Sequence, residues 1–398
     1  MKKILLLGGA SQQIIAIKKA QELGYYTILC DYLSDNPGQY VADKFYLAST
    51  TEKDKILEIA KQEKIDGILA YAPDAAAPTA AYVAEKLQLH GNPFDSVDTL
   101  CNKDKFRAFL SNNGFNSPRS FEVNTKTCLD NISLKEMSFP VIVKPVDSSG
   151  SKGVTVVYNE IEIKNAVQFA FQFSRIKRVI IEEFIEKQHP YLIGGDVFIL
   201  DGKVKVWGLL NCHRDNEVNS LVPVGKSYPV EVSKDDLENV KEVIQKIVDD
   251  LNINSGAMNV ELVIDKNGKV WPIDMGPRSG GNMIPDLLSD IFGIDIVKMS
   301  IEAAMGNAVI ENINEPEGYY ATYNLHCKKS GVYKRIQFAE EIDSFIYRKC
   351  LYKKEGDKVS YFDNASKCLG IVFLKFPNLN CMKETLERIN ELIKVEVE

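Results

Sequence analysis

The chain has 398 residues, 45% of them hydrophobic and 26% charged, a make-up that excludes disordered, collagen-like and coiled-coil proteins. That length suits roughly two to four domains, or one multilobed enzyme with a sizeable core. Lys and Arg number 48 against 55 Asp and Glu, a formal net charge of −7. An acidic balance excludes sequence-independent nucleic-acid binding as the main role, because such binding rests on a basic surface.

Eight cysteines (Cys30, Cys101, Cys128, Cys212, Cys327, Cys350, Cys368, Cys381) are scattered without a C-x-x-C pair. Reduced thiols are expected, with neither a zinc site nor a disulfide framework. Met1-Lys2-Lys3 precedes an apolar run at 4–7, but Gly8-Gly9 stops it too early for a signal-peptide core. A buried first strand, no membrane partner and a cytoplasmic location are expected.

In chain order, 4–7 reads as a strand, 12–23 as a helix, 27–30 as a strand and 53–62 as a helix. A strand at 65–70 and an Ala-rich helix at 75–87 follow. Alternation at this spacing predicts βαβ units on a doubly wound parallel sheet. Gly8-Gly9 after the first strand and Asp31 at the end of the second invite a dinucleotide reading, but G-x-G-x-x-G is absent, as is the P-loop. Asn92-Pro93 breaks the pattern, and a helix at 103–112 leads into Asn113-Gly114 and Pro118. Strands at 141–143, 154–157 and 179–181 then surround a loop at 147–153 and an amphipathic helix at 160–174. Asp201-Gly202 and Asn267-Gly268 mark two-residue hairpin turns. A helix over 234–250, strands at 320–327 and 370–376, and a final helix near 383–394 complete the reading.

Three constellations could carry chemistry. The first is Val141-Ile-Val-Lys144-Pro followed by Asp147-Ser-Ser149-Gly150-Ser151-Lys152-Gly153. Small side chains let consecutive backbone N–H groups converge on an anion, and Lys144 and Lys152 add charge. A plain Gly/Ser hairpin has the same composition, but a Lys within an apolar strand needs a partner. In the second, a two-residue Asn267-Gly268 turn makes facing residue numbers sum to 535, so Glu261 faces Asp274 and Asn259 faces Gly276. Val260, Leu262, Ile264 and Ile273 fall on the other, core face. Opposed acids about 4.5–5.5 Å apart repel unless a cation lies between them, and oxygen donors suit Mg²⁺. A solvated pair on an edge hairpin is the alternative. The third is Ile180-Ile181-Glu182-Glu183-Phe184-Ile185, a strand end that could offer backbone groups to a base edge or be no more than a strand end.

This ordered set resembles the ATP-grasp superfamily over roughly residues 1–310, closest to its carbamoyl-phosphate-synthetase-like and amino-acid-ligase-like branches. The resemblance implies an N-terminal doubly wound parallel α/β domain (1–95), a two-lobed ATP-grasp fold (96–190 and 191–312) and a small C-terminal α+β cap (313–398). It implies that Lys105 is the first nucleotide lysine, thirteen residues before Pro118, with Lys103 as the lesser candidate. Lys144 would be the second, bridging phosphates. Ser149, Gly150, Ser151, Lys152 and Gly153 would form the flap, and Glu182, Glu183, Phe184 and Ile185 the adenine hinge. Glu261 and Asp274 would hold Mg²⁺ or Mn²⁺, Arg278 would steady the acyl-phosphate or its carboxylate, and Arg214 could assist.

The chain departs from the pattern at Gly276, where most members carry an Asn ligand; Asn259 or Asn282 could substitute. No acid after the hinge matches the usual ribose contact. The expected function is ATP-dependent joining of a small carboxylic acid to an amine through an acyl-phosphate, in an enzyme often dimeric by resemblance. Carboxyphosphate or carbamoyl-phosphate chemistry, a non-catalytic ATP-binding module and a dehydrogenase are the rivals. Pocket selectivity would come from the surroundings of Pro73-Asp74, residues 211–228 and the cap, with His213 and His326 as candidate contacts.

Overall fold

The structure is a computed structural model that describes residues 1–127, 137–307, 313 and 316–398. The first strand, Lys3–Leu7, is central in a parallel four-stranded sheet, flanked by Tyr26–Asp31 and Gly67–Leu69, with Lys44–Leu47 at one edge. Its apolar run is continuous because both faces are covered. Leu5 and Leu7 pack toward the helices Lys53–Glu63 and Ala77–Leu87. Ile4 and Leu6 pack against Ile14–Glu22 and against Val297 and Ile301 of the distant helix Ile296–Ala304. That second contact fastens the N-terminal domain to the rest of the chain and fixes where residue 74 lies.

Gly9 donates to the Asp31 carboxylate at 2.7 Å, and a Cβ on Gly9 would stand 2.2 Å from Asn36 Oδ1. The chain's own 36–38 segment therefore fills the space above the first glycine turn, where a dinucleotide phosphate would sit.

A small lobe follows. Its antiparallel sheet runs Ser120–Asn124, Arg178–Glu183, Val141–Pro145, Thr155–Val157, with the helix Glu160–Phe173 packed on Val143, Val157 and Ile181. The large lobe is an eight-stranded antiparallel sheet in the order Val270–Gly276, Gly256–Ile264, Leu192–Leu200, Lys203–Asp215, Asn219–Tyr228, Tyr319–Leu325, Gly370–Phe376, Ile346–Leu351. Lys234–Asp250 covers one face and Ile284–Phe292 the other.

Several expectations change. The helices Phe94–Cys101 and Ile296–Ala304 and the strands Lys44–Leu47, Ser120–Asn124 and Gly331–Phe338 were not legible as elements in the sequence. The C-terminal segment continues the large sheet through three strands, so it is no separate layer there. The final helix is broken into Leu379–Glu387 and Ile389–Leu392 and ends in a strand, Ile393–Val397, paired with Gly331–Phe338. Among the described residues no helix is long and apolar enough to cross a membrane, and the seven described cysteines are free. Cys128 lies outside the described residues.

The two hairpin turns differ. Asp201 and Gly202 both take positive φ (52° and 70°) and form the expected two-residue turn between Leu200 and Lys203. At the second, Gly268 alone is left-handed, its N–H bonds to the Asp265 carbonyl, and Ile264 pairs with Val270. The Asp265 carboxylate accepts from the N–H groups of Asn267 and Lys269, which holds a three-residue loop. Facing numbers therefore sum to 534 beside the turn. A bulge between Glu261 and Leu262 then returns the register to 535, so Glu261 does face Asp274 and Asn259 does face Gly276. Ile273, the extra residue of that bulge, leaves the core face and is only partly buried.

Candidate functional site

The bulged hairpin presents Glu261 and Asp274 side by side, each with roughly a third of its side chain open (27% and 37%). Lys103 Nζ lies 3.2 Å from Asp274 Oδ2 and donates to the Ser148 carbonyl at 3.1 Å, tying the small lobe to the acid pair. Burial opposes charge on Lys103, yet Asp274 and Asp74 outweigh it and raise its pKa. Burial likewise pushes Asp274 up, but Lys103 and Lys144 hold it below the usual carboxylate range. Both groups are thus charged at neutral pH.

Lys105, expected in this role, points away. Its side chain is about half exposed and pairs with Asp98 on the outer face of the helix Lys103–Asn112. Residues two apart on a helix lie about 200° apart, so only one of the two lysines can face the cleft. The inward positions are Lys103, Phe106, Arg107 and Leu110, spaced i, i+3, i+4, i+7. That spacing was present in the sequence and marks both Lys103 and Arg107.

Lys144 is buried and pairs with Glu182 at 2.7 Å; Arg107 binds the same carboxylate through Nε at 2.9 Å and the Ile273 carbonyl through Nη2 at 2.6 Å. Burial lowers the Lys144 pKa, while Arg107 and Lys144 together keep Glu182 ionised against burial. Glu182 is therefore corrected from a hinge contact to the anchor of two cations. The trio carries one net positive charge in a buried place, which needs an anion.

The remaining hinge is also reshaped. The N–H groups of Glu183 and Phe184 bond to the Arg119 and Pro140 carbonyls, and Glu183 Oε1 accepts from Ser138 N. A base edge would meet Ile185, since the two preceding donors are spent. In the flap, Gly150, Ser151 and Gly153 take left-handed φ (66°, 62° and 75°), and Ser149 and Lys152 are exposed. Ser151 Oγ donates to the Leu221 carbonyl at 2.8 Å, and Ala365 N to the Gly150 carbonyl at 3.4 Å. The flap is folded down on the large lobe.

Arg278 makes a bidentate ion pair with Asp74, Nε–Oδ1 and Nη2–Oδ2 both at 2.6 Å. Burial opposes its charge, and Asp74 more than restores it, so Arg278 stays a cation. A Cβ at Gly276 would stand 2.5 Å from Asp74 Oδ1. Position 276 lacks a side chain because the N-terminal domain inserts a carboxylate there. Gly276→Ala is expected to cost about 1–3 kcal/mol in urea unfolding, as overpacking does. In an Asp74→Ala background the same change should cost less than half as much.

Neither proposed substitute for the missing ligand faces the acids. Asn259 Nδ2 donates to the Gly195 carbonyl and to Asp196 Oδ1, and Asn282 bonds to Gln12. Asp196, also receiving Gly280 N at 2.7 Å, fastens the loop that carries Arg278, and no sequence signal marked it. Among the described residues no three acids, His or Cys converge as a metal site. Arg214 Nη2 stands 3.8 Å from Glu261 Oε1. His213 bonds Ser227 and packs on Tyr191; burial, then Lys226 and Arg214, push its pKa down to about 3, so it is neutral. His326 is a buried link between Asp215 and the Asn324 carbonyl.

ATP with Mg²⁺ fits this donor set. Glu261 and Asp274 would hold the ion, which takes its other oxygens from phosphates and water. Lys103 and Lys144 would face phosphate oxygens, and the flap's backbone would cover them. A cleft of about 210 Å³ opens beside Lys103 and Asp274, between the small lobe and Asp74, Thr79 and Cys101 of the N-terminal part.

Residues 137–286 match the family model described as an ATP-grasp domain, and the chain carries that domain. It is 24% identical over 344 residues to the C-terminal section of the carbamoyl phosphate synthase large chain of Aquifex aeolicus (strain VF5), covering 81% of this chain and 62% of the relative. The chain thus spans less than two thirds of that relative. It is 26% identical over 325 residues to the formate-dependent phosphoribosylglycinamide formyltransferase of Prochlorococcus marinus (strain NATL1A), covering 78% of each. Among solved structures it is similar in fold to the L-amino acid ligase of Bacillus licheniformis, with a TM-score of 0.83 at 19% identity over 100% of this chain and 99% of the other.

Proposed function

We propose that the protein is an ATP- and Mg²⁺-dependent ligase that joins a small carboxylic acid to an amine through an acyl-phosphate, releasing ADP and phosphate. The observation that carries this reading is the Glu261–Asp274 pair set beside Lys103 and Lys144 under a lowered flap. Bound Mg-ATP supplies the phosphoryl group; the protein's own work is to hold and cover it. Lys103 and Lys144, each tied to a carboxylate, are orientationally fixed donors for phosphate oxygens, so little reorganisation is needed during transfer. The Ser151–Leu221 bond holds the flap where it would keep water from the acyl-phosphate. The amine would enter by the cleft beside Lys103 and Asp274, which Asp74, Thr79 and Cys101 line on the N-terminal side.

The fold likeness to an amino acid ligase and the sequence likeness to a formyltransferase support an acid–amine reaction. Mn²⁺ would satisfy the same oxygen donors. A cytoplasmic homodimer is the setting that goes with this reading.

Calorimetric titration with a non-hydrolysable ATP analogue, with and without Mg²⁺, tests the site. Micromolar binding strengthened by Mg²⁺ is expected, followed by ADP release that needs both an acid and an amine. Binding that Mg²⁺ leaves unchanged would defeat the metal assignment. ADP release with bicarbonate alone would move the reading to carboxyphosphate chemistry.

A further inference from the structure

Most of the site's cations lie in ion-pair contact with an acid, although not all are balanced in charge. Lys103 has Asp274, Lys144 and Arg107 share Glu182, and Arg278 has Asp74. Lys226, on the strand Asn219–Tyr228, is the exception. It is 93% buried by its 7% exposure, yet among the described residues it forms no ion pair; its hydrogen bond goes to the Cys212 thiol at 2.6 Å. Burying an ammonium with no acid in contact costs several kcal/mol; the Asp196 carboxylate acts on Lys226 only from beyond ion-pair distance, which leaves a place at the ammonium for a contacting anion.

Its position says which anion. Cys212 pairs with Lys226 across neighbouring strands, and Gly194 pairs with Glu261. A Cβ added at Gly194 would stand 3.1 Å from Lys226 Nζ and 2.6 Å from Cys212 Sγ. The ammonium therefore lies on the floor of the site, in space left open by that glycine, directly beside Glu261. Arg214, loosely held 3.8 Å from Glu261, stands on the same face. An acid at position 212 would have neutralised Lys226; a thiol leaves its charge in place.

We infer that Lys226, with Arg214 at its side, is the subsite for the carboxylate that becomes phosphorylated, while Arg278, already taken by Asp74, is not. This rests on the ligase reading above and adds a direction to it. The acid sits on the large-lobe floor beside Glu261, and the amine arrives from the opposite, Asp74-lined side. Lys226 then neutralises the carboxylate next to a polyphosphate, where repulsion would otherwise keep the two apart.

The test uses the full chain and its Lys226→Met, Lys226→Gln and Lys226→Arg variants. The probes are acetate, bicarbonate and the common L-amino acids, each with the Mg²⁺-bound ATP analogue and against chloride at matched ionic strength. Wild type should gain thermal stability with at least one acid, and Lys226→Met and Lys226→Gln should lose that gain. In ADP release, KM for that acid should rise about tenfold or more in Lys226→Met, with partial recovery in Lys226→Arg. The analogue's Kd should stay within about twofold in all four proteins. Unfolded Lys226→Met leaves Lys226→Gln and Lys226→Arg to decide, by the same two readouts. The inference is overturned if the analogue's affinity falls in step with the acid's, which would make Lys226 a phosphate contact. It is also overturned if the KM for acid is unchanged, or if no acid stabilises wild type beyond chloride. Acid-dependent stabilisation that needs Lys226, without any ADP release, would keep the anion subsite and defeat the ligase reading.

Discussion

Glu261→Gln is expected to lower ATP-dependent turnover by about a thousandfold or more while leaving the fold intact, as measured by ADP release and thermal unfolding. Among the described residues the side chain's one ion pair is the long contact with Arg214, so the amide removes little that holds the protein together. What it removes is one of the two charges that would bind Mg²⁺. Asp274→Asn should lose turnover to a similar degree but also destabilise the chain by about 1–3 kcal/mol, because it takes the partner from buried Lys103. Turnover within tenfold of wild type in Glu261→Gln would sink the two-acid metal site. Lys144→Met is a weaker test, since it also strips a partner from buried Glu182.

The second large effect separates two lysines that differ by two positions. Lys103→Met should reduce turnover by about a hundredfold or more and weaken binding of the ATP analogue, whereas Lys105→Met should stay within about twofold on both measures. Lys103 meets Asp274 and the Ser148 carbonyl inside the cleft; Lys105 meets Asp98 at the surface, where an ion pair contributes little. The reverse result would return the nucleotide role to Lys105.

The outward placement of Lys105 shows what residue counting misses. An interval measured back from Pro118 ignores helix phase, whereas Lys103, Phe106, Arg107 and Leu110 share the inward face. The acid pair was found by a count that agreed with the structure through two offsetting departures. Asp265 tightens the turn into a three-residue loop, and the bulge at Ile273 adds back the lost residue. Glu182 was legible as a strand-end acid, but not as the counter-charge of Arg107, 75 residues earlier. Asp74 and Gly276 could be noticed separately; only contact between domains explains the one by the other.

By itself the sequence determined the parallel βαβ start, the small-residue loop after Lys144 and the two facing acids. Each depends on local rules: the period of apolar residues, the backbone freedom of small side chains, and the alternation of a strand. The tertiary structure alone decided which cations are free. Pairing of Arg278 with Asp74 and of Arg107 and Lys144 with Glu182 joins residues far apart in the chain, and among the described residues no acid lies within ion-pair distance of Lys226. Charge balance in a buried site is a sum over neighbours in space, and the chain order does not contain that sum.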